Sequence, residues 1–370
     1  MGLIKFNPDK YRDRIEYSQK LYDITSKFKE PERVPIHISV GGSFFCKLFG
    51  VNIRDFYTDM EVNIEVQAKG IIWCFEELKD DRVNFSIGMD LGPVYEGIVF
   101  DCPIEYPDDT SPWIVPILKK PADIEKLKVP EPSTSPKIQE IYKKYEKYKE
   151  LAKKIAPDFP TNWGGVNIHP PLSAACAIMD PVLVYELMIS EPEVITKLFD
   201  KLLKTFFLLR DFADEYFNIK RESIGLADDN SAFISNELYR KLVFKYNKAI
   251  YDKYGKKERS LHADGPNDHH FEMYANDMKL TSMDIGGFSS NEVAAKYLKG
   301  KTVIFGGLNC RDLYGSFEEA KPKVDSAIEI LAPGGGYVFG VGGETYAGVN
   351  PNTLISVVEY AKEKGKYSAK

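Results

Sequence analysis

Eight strand-like runs, most of them followed by an amphipathic helix, predict an α/β fold of the (β/α)8 TIM-barrel type. Two further observations point the same way. The runs end in polar or glycine-rich turns, and the 370 residues exceed the ~250 that such a barrel usually needs, leaving room for insertions. The strand candidates are residues 33–40, 82–89, 161–168, 223–227, 259–261, 280–285, 302–305 and 336–341. Helical patterns follow over 181–217 (two helices in one stretch), 236–254 and 316–331. The surplus residues have two places. Residues 1–30 form an N-terminal helical extension, with Tyr11, Ile15, Leu21, Tyr22 and Ile24 spaced among charges over 8–30. Residues 119–160 form an excursion, a Pro-rich surface loop from Pro130 to Pro136 followed by a charged helix. The whole of 1–370 reads as a single barrel domain. A doubly wound sheet would require a glycine fingerprint after the first strand, and none is present. No internal repeat occurs at a solenoid period.

Composition narrows the function classes. Charged residues are 28% of the chain and the net charge is −6, so there is no basic footprint for nucleic acid. The Lys-rich stretch Lys143-Lys144-Tyr145-Glu146-Lys147 is interleaved with Glu and reads as a solvated helix face. No apolar run approaches the ~20 residues of a membrane span. The start of the chain lacks the apolar core of a signal peptide, and Phe6 stands where a myristoylation signal needs Ser or Thr. Cys46, Cys74, Cys102, Cys176 and Cys310 are an odd, scattered set without a Cys-x-x-Cys pair, which suits a reducing compartment. A cytoplasmic protein with no nucleic-acid or membrane partner is expected.

In such a barrel the loops leaving the C-terminal strand ends form the active-site mouth. The chain collects acids and imidazoles there: Asp90, His169, Asp228 and Asp229, His262 and Asp264, Asp284, Asn309 and Cys310, and Glu344, with His37 inside the first strand. His262 and Asp264 are two residues apart, so in a strand they share a face and can converge on a divalent ion such as zinc. Each residue also has a structural alternative. Asp228-Asp229-Asn230 can cap a helix, His169 can be a loop residue before two prolines, and His269-His270 belongs to the helix after His262. Taken together they favour an enzyme. The glycines of 334–343 lack the Lys-Ser/Thr of a nucleotide loop, and no nucleophile elbow is present.

Several segments, in this order, resemble the uroporphyrinogen decarboxylase superfamily over most of the chain. They are Glu32-Arg33-Val34-Pro35, residues 116–127, Asp228-Asp229, Ile234-Ser235-Asn236-Glu237, Leu261-His262-Ala263-Asp264-Gly265, Phe305-Gly306-Gly307-Leu308-Asn309 and Asn350-Pro351-Asn352-Thr353. The resemblance implies the same barrel, and a choice between porphyrinogen decarboxylases and cobalamin-dependent methyltransferases. The decarboxylases carry an arginine-rich segment at the first strand end. Here that place reads Ser39-Val40-Gly41-Gly42-Ser43-Phe44-Phe45, so a polycarboxylate substrate would lack its counter-charges.

The thiol-methylating branch is similar to this chain and implies a zinc site of one His and two Cys. His262 matches that His, Asp264 stands where a Cys is expected, and Glu344 lies near the place of the second Cys. Carboxylates in place of thiolates make a harder Lewis acid, suited to an ether oxygen. The expectation is therefore a corrinoid-dependent methyltransferase component. It would transfer the methyl group of a small O-methyl substrate, a methoxylated aromatic, to the cobalt of a corrinoid on a partner protein. His262, Asp264 and Glu344 are expected to bind zinc or another divalent metal. Asp228, Asp229 and His262 are expected to act in catalysis, and His169 and Asn309 to bind cofactor. Two or three of Phe44, Phe45, Tyr95, Trp163, Phe288 and Tyr346 are expected to line a ring site. The alternatives are a decarboxylase of another carboxylated substrate, a thiol or methylamine corrinoid methyltransferase, and a non-enzymatic barrel that docks a corrinoid protein.

Overall fold

The computed structural model describes residues 2–367 and has the (β/α)8 barrel architecture. A small antiparallel pair, β1 (Ile104–Glu105) and β2 (Trp113–Ile114), lies outside the barrel sheet. The regular part of the barrel is a parallel sheet in sequential order: β3 (Ser223–Ala227), β4 (Glu258–His262), β5 (Ser282–Asp284), β6 (Val303–Leu308) and β7 (Tyr337–Val341). Helices return the chain between these strands, which is the connection that parallel pairing demands. Strand alternation divides the side chains. Leu261 and Met283 are buried, while their neighbours Ser260, His262, Ser282 and Asp284 turn to the other face.

The first three expected strands differ from the expectation. Residues 33–40, 82–89 and 161–168 are extended but joined only by isolated bridges: Ile36 to Phe339, Val40 to Thr345 and Ile87 to Thr161, which are parallel, and Arg33 to Lys366, which is antiparallel. Pro35 has no N–H to donate, and side chains take over part of the ladder. The Asp81 carboxylate accepts from the Ile36 N–H at 2.7 Å and the Asp80 carboxylate from the Ile38 N–H at 3.2 Å. Arg33 and Arg82 neutralise these two buried acids, through Arg33–Asp81 contacts of 2.6 and 2.7 Å and Arg82–Asp80 contacts of 3.0 Å. The first segment also pairs with β7, His37 N–H donating to Phe339 O at 2.9 Å, so the two ends of the barrel meet.

Helix boundaries follow their local signals. The stretch expected over 181–217 is two helices, Pro181–Ser190 and Pro192–Tyr216, broken where Pro192 starts a new turn. Ser316 and Glu319 form a capping box at the start of the helix Phe317–Leu331. The N-terminal extension is a short 3-10 turn, Pro8–Tyr11, leading into the helix Arg12–Thr25. In the excursion, the helix Pro136–Ile155 buries Ile138, Ile141, Tyr142, Tyr145 and Tyr148 at helical spacing, with Lys143, Lys144 and Lys147 exposed. Helices Gly42–Phe49, Ile53–Thr58 and Met60–Trp73, between the first two strands, were not among the expected elements. No helix among the described residues is long and apolar enough to cross a membrane.

Candidate metal and substrate site

The sheet register builds the site. Ala227 pairs with His262, and His262 pairs with Asp284, so the C-terminal ends of β3, β4 and β5 lie side by side. One residue past β3 comes Asp228, then Asp229 opening the 3-10 turn Asp229–Phe233. Two residues past β4 comes Asp264, whose N–H donates to Asp229 Oδ1 at 2.8 Å. The loop after β7 closes over them. Gly342 sits so close to the Gly286–Gly287 backbone that a Cβ there would lie 2.0 Å from the Gly286 carbonyl carbon. Gly343, at φ +72°, donates its N–H to Asp284 Oδ2 at 3.0 Å, and a Cβ on it would come within 3.0 Å of Asp264 Oδ2.

His262 is held from one side. Its Nδ1 lies 3.1 Å from Asp284 Oδ2, and Asp284 also accepts from the N–H groups of Gly286 and Gly343. This carboxylate fixes the tautomer with hydrogen on Nδ1 and turns Nε2 outward, the arrangement found behind metal-ligating imidazoles. Nε2 then stands 3.6 Å from Asp229 Oδ1 and 3.7 Å from Asp264 Oδ2. Asp229, His262 and Asp264 are the group whose ligand atoms all fall within 4.8 Å of one another. Two ligands ~2.1 Å from a tetrahedral zinc ion stand ~3.4 Å apart, so the spacing and the N/O donor set fit a divalent metal with little movement. Burial opposes protonation of His262. The hydrogen bond to Asp284 and the charges of Asp284, Asp229 and Asp264 outweigh it and raise its pKa to about 9. The same site therefore attracts positive charge, and metal binding would release that proton.

The other expected residues fall into two groups. Glu344 lines the same cleft of ≈ 820 Å³ but stands outside the three-residue group, and burial, helped by the charge of Asp90, pushes its carboxyl up to about 7. His169 also lines the cleft. Asp228 is fully buried behind it, its two oxygens taken by Ser173 Oγ and Asn247 Nδ2 at 2.7 Å each. Burial raises its pKa to about 6. Asn309 caps the 3-10 turn Cys310–Leu313 and donates from Nδ2 to Gly287 O at 2.9 Å, so its polar groups hold backbone together. Of the aromatic candidates, Phe44, Phe45 and Trp163 are core, Phe288 is exposed, and Tyr346 lines the cleft together with Tyr57.

Sequence reasoning left Glu96 unassigned. It lies in the short helix Tyr95–Phe100, completely buried, and accepts from both the backbone N–H and Nδ1 of His169 at 2.6 and 2.8 Å. No local pattern announces such a pair, because its partners are 73 residues apart. The Glu96 charge, against the opposing effect of burial, raises the His169 pKa to about 9; Glu96 itself is lowered despite its burial because His169 is beside it. The raised imidazole contributes stability that is complete below its ordinary value of 6.5 and is lost as pH rises through about 9. The lowered carboxyl contributes above 4.5 and loses its part as pH falls through its folded value. The urea midpoint of the native chain is thus expected to fall between pH 6.5 and 9 more steeply than that of His169→Gln. Parallel profiles for the two proteins would contradict this assignment.

The cleft is predominantly acidic. Asp90, Asp109, Asp229, Asp264, Asp284 and Glu344 line it, and no Lys or Arg does. A substrate with several carboxylates would meet mostly like charges there, with only the imidazoles of His169 and His262 as counter-charges.

The family described as Uroporphyrinogen decarboxylase (URO-D) matches residues 21–364. The chain belongs to the uroporphyrinogen decarboxylase family. Among solved structures, this family member is similar to a methyltransferase from Methanosarcina mazei, with a TM-score of 0.66 at 13% identity, covering 94% of this chain and 98% of the other. A putative vitamin-B12 independent methionine synthase from Listeria monocytogenes aligns at a TM-score of 0.43 and 12% identity, covering 90% and 95%. No curated protein matches this uroporphyrinogen decarboxylase family member. At these identities the first structural likeness establishes the barrel fold, and the chemistry has to be argued from the site.

Proposed function

We propose that this chain is the methyltransferase component of a corrinoid-dependent system. It takes the methyl group of a small O-methyl substrate, a methoxylated aromatic, and passes it to the cobalt of a corrinoid carried by a partner protein. The observation that carries the reading is the Asp229–His262–Asp264 group, oriented by Asp284 at the strand ends of a cleft without lysine or arginine. The likeness in fold to a methyltransferase supports it.

His262 Nε2, Asp229 and Asp264 would hold a divalent metal, zinc fitting the N/O set, with Glu344 able to approach from the same cleft. When bound, that ion would supply Lewis acidity to the ether oxygen. The chain's own residues do the rest. Asp284 locks the His262 ring. Asp229, 2.8 Å from the Asp264 N–H, keeps the two acid-bearing loops together. His169, held protonated by Glu96, places one positive charge on the cleft wall, where it can donate to a developing oxyanion. In the transfer the methyl–oxygen bond breaks with its electron pair left on oxygen. The corrinoid carried by the partner would accept the methyl group and supply the electron pair for the new bond, and the oxygen would take up a proton, which the protonated His169 can donate.

The test is methyl transfer itself. Zinc-loaded protein, cob(I)alamin and a panel of O-, N- and S-methyl donors would be followed by the absorbance of methylcobalamin. Formation with methoxyarenes is expected. Transfer from methylthiols or methylamines alone would replace the substrate class, and transfer from none of them would remove the reaction.

A further inference from the structure

A (β/α)8 barrel is ordinarily filled by layers of bulky, branched side chains. This one is open along its axis. A cavity of ≈ 490 Å³ lies beneath His262 and Asp284, where β3, β4 and β5 contribute Gly225, Ser260 and Ser282. His37 and Phe305 line both this cavity and a second of ≈ 410 Å³ that continues toward Arg82 and the N-terminal helix residues Gln19 and Tyr22. Upward, the first cavity shares Ser39, Ala227, His262, Asp284 and Gly343 with the active-site cleft. His37, Ser39 and Gly225 are exposed to this space although protein surrounds them.

The lining has a definite chemistry. The side chains of His37, Ser39, Ser260 and Ser282 make no hydrogen bond to any described residue, so four polar groups face the lumen with free capacity. Burial pushes the His37 imidazole below its usual range and keeps it neutral. The lumen has no free cation: Arg82 is taken up by Asp80 at 3.0 Å and by Ile38 O at 3.1 Å. Its carboxylate, Asp284, is satisfied by His262 and two backbone N–H groups. Phe305 adds a ring face. Such a space suits a neutral, flat molecule with hydroxyl or ether substituents and disfavours an anion.

Displacement at carbon is in line, so acceptor and leaving group lie on opposite sides of the methyl. A corrinoid carried by another protein can approach only from the open mouth. The leaving oxygen and its ring must then point down the barrel axis. We propose that the lumen beneath His262 is the binding site for the leaving-group half of the substrate, an uncharged monocyclic aromatic with hydroxyl or ether substituents. This site rests on the methyl-transfer reading above for its role, but its occupancy can be measured alone.

Gly225 does not have a positive φ, and a Cβ there meets only the Ser260 hydroxyl at 2.6 Å, so Gly225→Leu can fill the lumen without backbone strain. Calorimetric titration of zinc-loaded protein with 2-methoxyphenol and with 4-methoxybenzoate tests the proposal. The phenol is expected to bind, the carboxylate to bind at least about tenfold more weakly, and Gly225→Leu to weaken the phenol at least about tenfold with zinc content unchanged. Ser282→Leu serves the same purpose should Gly225→Leu not fold. Undiminished binding by a folded variant, preference for the carboxylate, or no binding of the phenol to the native chain would overturn it. Binding without methylcobalamin formation would keep the lumen site and remove the reaction. Transfer that a folded Gly225→Leu leaves unchanged would do the opposite.

Discussion

Replacing His262 with alanine is expected to strip zinc from the protein and to lower methyl transfer at least ~10³-fold, the effect of losing ~4 kcal/mol of transition-state stabilisation. The size follows from the geometry. His262 is the nitrogen donor of the group and stands 3.6 and 3.7 Å from its two carboxylate partners. Without it, Asp229 and Asp264 are two partly exposed acids that can hold a cation only weakly. A milder change should give a graded result. Asp284→Asn keeps the side-chain shape but removes the charge that sets the His262 tautomer, which ordinarily costs ~10–100-fold in metal affinity or activity. Metal content by mass spectrometry, read beside activity, checks both. An alanine variant that keeps one zinc per chain would show that the metal sits elsewhere.

Asp81→Ala is expected to cost ~3–5 kcal/mol of stability, because it leaves Arg33 as a buried charge without its partner. Asp81 is 2% exposed and Arg33 8% exposed. The carboxylate also receives the Ser18 hydroxyl at 3.1 Å and the Ile36 N–H at 2.7 Å, so one substitution orphans three donors on two segments. Against a typical total of ~5–15 kcal/mol this is a large fraction. The urea midpoint measures it. A double variant, Arg33→Met with Asp81→Leu, should recover only part of the loss, since the Ile36 N–H stays unpaired. A midpoint unchanged in Asp81→Ala would mean that the first strand is held by its packing alone.

The legible part of this protein is what local chemistry dictates. Parallel β3–β7 are short apolar runs with helices between them, and the two-residue spacing of His262 and Asp264 at the end of β4 already suggests that they converge. The Pro192 and Ser316 boundaries are equally local. The first three strands were legible as extended segments but not as irregular ones, because the groups replacing their ladder, Asp80 and Asp81, act across more than 40 residues of sequence. Asp228 and Asp229 were indistinguishable neighbours in the sequence. In the fold one is buried against Ser173 and Asn247, and the other joins His262 and Asp264.

By itself the sequence determined the barrel and the acids at its strand ends, since these depend on residue type and on spacing along the chain. Only the tertiary structure decided that Asp229 joins His262 and Asp264, that Asp284 stands behind the imidazole, that Glu96 lies under His169, and that the barrel axis is open. The reason is physical. Which carboxylate meets which nitrogen is set by register between strands, and which side chains fail to fill a lumen is set by all the strands together.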